Sequence, residues 1–415
     1  MTAFQIIALL LTFAALGVYV NNRFLKLPST IGLMAFALVI SLGAINLNWL
    51  GIVDLSAASA FVTQINFSDI LLHGMLSFLL FAGALHIDLS ELKKYRAIVG
   101  FLATIGVIIA TFITGTLVWW TSAQLGFSFP YIDALLFGAL IAPTDPVAVL
   151  GILKQTNLSK NFRIKIASES LFNDGIGVVL FVVLLNLADP ITSSLSPAQM
   201  AGLLVWEGIG SVILGLTLGW IAYQLLLGTD DYKAEVLITL ALAAGGYCLG
   251  EAVHVSAPVT MVVAGLVIGN HSTVFGKSNK TRKYLDMFWE LLDEILNAIL
   301  FILMGLEMMV ITLTPSHLEM GVVAIIAMLL GRVISVTIPV CLMRFHYTFE
   351  RGTIRLLTWG GLRGGISIAL ALSLPASIEK DLILGMTYIV VIFSVLVQGT
   401  TFRHMASVFA QKNQP

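Results

Sequence analysis

Apolar stretches long enough to cross a lipid bilayer recur along almost the whole chain, and no other feature constrains its fold as strongly. Windows of about 20 apolar residues fall near 4–20, 31–49, 69–86, 97–121, 131–153, 163–188, 199–227, 234–251, 257–272, 286–312, 318–344, 353–374 and 381–409. Only 11% of the 415 residues are charged and 58% are hydrophobic, whereas a soluble domain carries about 25% charged residues. A water-soluble fold is excluded on that balance. Lipid offers no partner to free backbone groups, so spanning elements must be helices or a closed barrel. The apolar runs are unbroken and lack barrel alternation, which selects helices. The expected fold is an all-α polytopic membrane protein with about thirteen transmembrane helices.

Lys and Arg test that count, because basic residues concentrate in the loops on one face of a membrane protein. Nineteen of the 22 fall in or beside the loops and the chain end that follow odd-numbered windows; Lys380 falls on the opposite side, and Arg332 and Arg363 lie inside windows. One missed or spurious helix would invert the alternation beyond it. An odd number of spans is therefore expected, with the N-terminus outside, the C-terminus cytoplasmic, and a multi-pass chain in the cell inner (plasma) membrane. A net charge of -1 argues against a nucleic-acid partner. The apolar first twenty residues lack a basic n-region and read as a retained helix. Cys248 and Cys341 fall within apolar windows and read as small buried hydrophobes, not as a disulfide or metal pair.

An odd total suggests two six-helix halves of inverted topology joined by a linking helix at 199–227. In such inverted repeats the binding site lies at the midplane, where corresponding helices are interrupted by Gly or Pro. The fifth and twelfth windows correspond. One contains Pro143-Thr144-Asp145-Pro146, the other Gly360-Gly361-Leu362-Arg363-Gly364-Gly365.

An ionisable residue at the bilayer centre costs at least about 2.5 kcal/mol on insertion scales, so each is a functional-site hypothesis. Asp145, Glu169, Asp174, Arg332 and Arg363 share one depth. Prolines flanking Thr144-Asp145 remove backbone donors and free carbonyl oxygens, an environment suited to a hard cation such as Na+. Helical spacing sets Ser170 over Asp174 and Glu169 over Asn173 on adjacent stripes. The first stripe, with Asp145 and Thr144, offers an oxygen cage. The second suits an internal anchor in which Arg332 or Arg363 neutralises Glu169. Arg363, among glycines, is equally suited to meeting carbonyls at a helix end.

Other polar residues are weaker candidates. Asp286, Glu290, Asp293 and Glu294 recur at helical spacing and would suit a cation-attracting funnel, but a solvated helix end is the favoured reading. Glu207 and Glu307 are expected to reach an interface. His73, His86 and His254 receive no role.

The chain resembles bacterial NhaP-type sodium/proton antiporters, relatives of the animal sodium/proton exchangers. The resemblance covers nearly the whole chain and rests on three runs: Ala142 to Val149 (APTDPVAV), Glu169 to Gly175 (ESLFNDG) and Trp359 to Gly364 (WGGLRG). Weaker support comes from Leu80 to Leu85 and from Phe301 to Leu306. The resemblance implies a homodimer in which a core with crossed broken helices, here 97–188 and 318–409, moves against a dimerisation domain, here 1–96 and 234–312. It implies that Asp145, Asp174, Ser170 and Thr144 bind the cation, with Glu169, Asn173 and Arg332 in a stabilising network. Asn173 before Asp174, in place of two acids, implies electroneutral exchange. Some relatives carry a carboxylate where Ala82 lies here, which removes one contribution from the third window.

The function expected is exchange of Na+ (or Li+) for H+, in which Asp174 holds either a proton or the cation and only the neutralised site crosses. No cofactor is expected beyond the transported ions; the partners expected are monovalent cations, protons, lipid and a second copy of the chain. The alternatives are K+/H+ exchange, a passive cation channel, a binding-only sensor and an intramembrane protease. Against the last, Thr144-Asp145-Pro146 and Asn173-Asp174-Gly175 lack a catalytic setting, so no enzyme activity is expected.

Overall fold

The computed structural model describes residues 3–52, 54, 67–145, 149, 160–188, 199, 202, 205–229, 231–271, 279–311, 314–345, 347, 349–350, 352–376 and 378–412. Among these the chain is helical, with no strand. Among the described residues nine helices are long and apolar enough to cross a membrane. They are α1 (Phe4–Leu25), α2 (Ser29–Asn48), α3 (Phe67–Leu85), α4 (Leu92–Gln124), α6 (Phe162–Ala188), α7 (Trp206–Leu227), α8 (Tyr232–Ala252), α11 (Pro315–Met343) and α14 (Lys380–Phe409). Two further apolar helices are short, α5 (Tyr131–Ile141) and α9 (Ala257–His271). Helix α10 (Asn279–Glu307) starts about two turns before its apolar window and carries charges through its first half. The twelfth window is split into α12 (Thr353–Trp359) and α13 (Gly365–Leu372). Pro146 and residues 55–66 lie outside the described residues.

Helix packing sorts these elements into two sets. Helix α9 packs on α3, α7 and α8, while α10 packs on α1 and α2. Separately, α4 packs on α5 and α11, α5 on α6, and α14 on α11 and α13. The sets meet where α6 touches α9, and where α13 touches α3 and α10. Lipid tails supply no hydrophobic drive between helices, so close approach depends on small residues. At the α4–α5 crossing, a Cβ on Gly115 would lie 2.8 Å from the Ala134 carbonyl, and one on Gly138 would strike the Thr111 carbonyl. The two backbones therefore touch.

The outer surface is apolar, with Phe4, Leu216, Trp220 and Val322 all exposed. For that reason a long apolar window does not distinguish the inside of the bundle from its outside. Cys248 and Cys341 illustrate the point: both are exposed free thiols rather than buried hydrophobes. Glu307 errs in the opposite direction, being buried instead of reaching an interface.

Candidate functional site

Helix α5 ends at Ile141 because Pro143 supplies no N–H and its ring opposes a further helical turn. Thr144 and Asp145 then run in irregular backbone. On the other strand of the crossing, α12 stops at Trp359 and α13 restarts at Gly365, so residues 360–364 are unwound. The two interruptions bond to each other. The Asp145 N–H donates to the Leu362 carbonyl at 2.7 Å, and Arg363 Nη1 donates to the Pro143 carbonyl at 2.9 Å. The Arg363 N–H donates to Ser394 Oγ of α14 at 2.8 Å. Backbone groups freed by breaking both helices thus find partners inside the protein, which lipid would deny them. Gly364 is extended (φ -134°, ψ -157°), and a Cβ there would land on the Asp145 carboxylate.

Helix α6 supplies the other half of the site. Asn173 reads Thr144 twice: its Oδ1 accepts the Thr144 N–H at 3.1 Å and its Nδ2 donates to Thr144 Oγ1 at 2.8 Å. Thr144 Oγ1 also shares a hydrogen bond with Ser170 Oγ at 2.8 Å. One turn earlier, Glu169 takes a two-pronged ion pair from Arg332 of α11, at 2.6 Å and 3.0 Å. Arg332 also donates from Nε and Nη2 to the Leu357 carbonyl in the last turn of α12. Of the two arginines offered by the sequence, Arg332 neutralises Glu169, and Arg363 instead meets a carbonyl at the broken helix.

Asp174 is only 3% exposed, and it lies within electrostatic reach of Asp145 and Arg363. Asp145 and Asp174 both line a cavity of about 600 Å³. Its wall includes Pro143, Gly364 and Ser367 from the crossing, and Asp286, Glu290, Asp293 and Glu294 from α10. The acidic stripe of α10, favoured above as a solvated helix end, therefore borders the same space as the paired aspartates. Thr144 and Ser170 are not part of that wall; they share a hydrogen bond with each other, and Thr144 is also bonded to Asn173. Among the described residues no group of three His, Cys, Asp or Glu side chains could hold a metal ion. The donors around the cavity are oxygens, which suit a hard cation.

Sequence reasoning missed the partners that hold the crossing: Ser394, the Leu357 carbonyl and the Gly364 contact with Asp145. A glycine run around Arg363 signalled a broken helix, but no local pattern marks which distant hydroxyl or carbonyl meets it. His86 also lines the cavity, without any sequence feature to distinguish it from His73.

Interrupted helices that cross at a pair of carboxylates lining one cavity, inside a bundle with an apolar exterior, define an ion-translocating secondary transporter. The chain belongs to the sodium/hydrogen exchanger family: the family described as "Sodium/hydrogen exchanger, transmembrane" matches residues 9–408. It is 47% identical over 400 residues to the Na(+)/H(+) antiporter NhaP of Pseudomonas aeruginosa, covering 95% of this chain and 94% of that one. It is 32% identical over 403 residues to the Na(+)/H(+) antiporter NhaH of Halobacillus dabanensis, covering 95% of each. Among solved structures, the sodium proton antiporter MjNhaP1 from Methanocaldococcus jannaschii at pH 8 superposes with a TM-score of 0.74 at 23% identity, over 99% of this chain and 98% of that one. At that identity the likeness concerns the fold.

Proposed function

We propose that this protein is a secondary antiporter exchanging Na+ or Li+ for H+ across the cell membrane, electroneutrally, as a homodimer. The observation that carries the reading is the pair Asp145 and Asp174 facing one cavity at the helix crossing, while the nearby Glu169 is already neutralised by Arg332. Two like charges in a low-dielectric site repel, so one must be cancelled by a proton or a cation. Competition between those two ligands for Asp174 couples the fluxes, and only the neutralised site crosses. Thr144, Ser170 and Asn173 hold the unwound segment beside Asp145 in position, and Arg363 fixes its other side.

In this reading the chain spans the membrane thirteen times with its N-terminus outside and its C-terminus in the cytoplasm. The core of 97–188 and 318–409 moves against 1–96 and 234–312, with 199–227 linking the halves. The separate packing of α4–α6 with α11–α14, and of α1–α3 with α7–α10, supports that division. The test is dequenching of a pH dye in everted vesicles as each alkali cation is titrated. Na+ or Li+ should move protons, and Asp174→Ala or Asp145→Ala should abolish the signal while the protein still inserts. Normal exchange by either purified variant would remove that residue from the mechanism. A K+ response equal to that for Na+ would favour K+/H+ exchange, and failure of an imposed pH gradient to reverse the flux would favour a leak.

A further inference from the structure

Helix α10 carries acidic groups on both sides of an apolar plug. Asp286, Glu290, Asp293 and Asn297 are followed at alternating steps of three and four by Leu300, Met304 and Glu307, so all share one helical stripe. The polar members line the cavity that reaches Asp145 and Asp174, and Leu300 also borders it. Leu300 lies directly on Gly365 of α13, where a Cβ would collide with its side chain. One turn on, Met304 is fully buried in the main apolar cluster together with Tyr388 of α14. Leu300 and Met304 thus separate the cavity from what lies beyond.

Beyond the plug stands Glu307, 8% exposed, whose Oε2 has no hydrogen-bond partner among the described residues. The hydroxyl of Tyr388, 0% exposed, likewise has none among the described residues. The two residues are within electrostatic reach of each other, and they come from the two separately packed sets of helices. A buried polar group left without a partner is destabilising, more so if charged. Two such groups, one from each set of helices, have hydrogen-bonding capacity to spare for a ligand. Both supply oxygen, the donor that hard cations take.

We propose that Glu307 and Tyr388 form a second station for the transported monovalent cation, on the far side of the Leu300–Met304 plug, occupied when the site opens to that face. The proposal rests on the antiporter reading and on the orientation that makes the Asp286 end of α10 cytoplasmic. Movement of α13 and α14 against α10 would slide Gly365 off Leu300, and the stripe would then present carboxylates on both sides of the crossing in turn.

The test uses the full chain in proteoliposomes, with Na+ titrated separately at each face. Glu307→Gln should raise the Na+ concentration for half-maximal exchange at the outer face about tenfold, equivalent to about 1.4 kcal/mol, with a much smaller change at the cytoplasmic face. Tyr388→Phe should give a weaker shift with the same sidedness, and Glu307→Asp should recover part of the loss. Equal shifts at the two faces, or none, would overturn the station. Should the Gln variant not reach the membrane, Met304→Cys in a background with Cys248 and Cys341 changed to Ser decides the matter. Labelling by a membrane-impermeant thiol reagent from the outer face, slowed by Na+, is expected, and an active variant that never labels would overturn the proposal. Wild-type exchange that is lost in Asp174→Ala, with no sided effect at Glu307, would refute this inference alone. Absence of wild-type exchange would refute the antiporter reading beneath it.

Discussion

Glu169 and Asp174 sit five residues apart on α6, both almost completely buried, yet their surroundings differ in kind. Glu169 is saturated: Arg332 grips both carboxylate oxygens, and the same guanidinium ties off the Leu357 carbonyl. Asp174 faces the cavity that Asp145 also lines, with Arg363 near but bonded to Pro143 instead. Burial alone therefore does not make a carboxylate functional. What separates the two pockets is whether a fixed cation has already satisfied the charge.

The contrast is broken most directly at Glu169. Removing one partner of a buried ion pair leaves an uncompensated charge and costs about 3–5 kcal/mol. Glu169→Gln and Arg332→Met should each lower the thermal stability of the purified protein, and the double change should recover much of it. Asp174→Asn should do the reverse, leaving stability intact while exchange falls by at least about a hundredfold, or about 2.7 kcal/mol. A stable, active Glu169→Gln beside an unfolded Asp174→Asn would exchange the roles assigned to the two pockets.

A smaller effect sharpens the comparison at the crossing itself. Gly364→Ala adds one methyl group where the Asp145 carboxylate now lies. The backbone there is extended, so the cost is one of crowding, about 1–3 kcal/mol. It should appear as impaired cation binding in a folded protein, read as a higher half-saturating Na+ concentration. Unchanged affinity in that variant would mean that the present position of Asp145 is not the one that binds.

These differences set how much was readable beforehand. The helical class followed from the length and spacing of the apolar windows, and the break at Pro143 followed from the chemistry of proline. The choice of Arg332 over Arg363 for Glu169 did not follow from helical spacing, because both arginines lie mid-window and the relative placement of α11 and the α12–α13 break decides it; only the family resemblance singled out Arg332. Exposure was illegible for a related reason. With lipid outside, Cys248 on the exterior and Met304 in the core occupy equally apolar windows. The stripe on α10 was visible as a period, but a charged helix end looks the same whether it faces bulk water or a cavity leading inward.

That ambiguity leaves the smallest effect to measure. Glu290 and Glu294 are both exposed and both line the cavity, and their exposure suits them to act on an arriving cation through the field. Interactions between exposed charges are screened over about 10 Å at 0.1 M ionic strength and about 3 Å at 1 M. Changing both residues to Gln should therefore raise the half-saturating Na+ concentration about two- to threefold at low ionic strength, consistent with a rim charge changing encounter more than final affinity. The difference from wild type should vanish as an impermeant, non-transported salt is added, whereas the defect of Gly364→Ala should persist. A defect in the Gln pair that salt leaves untouched would move these glutamates from the approach into the binding site.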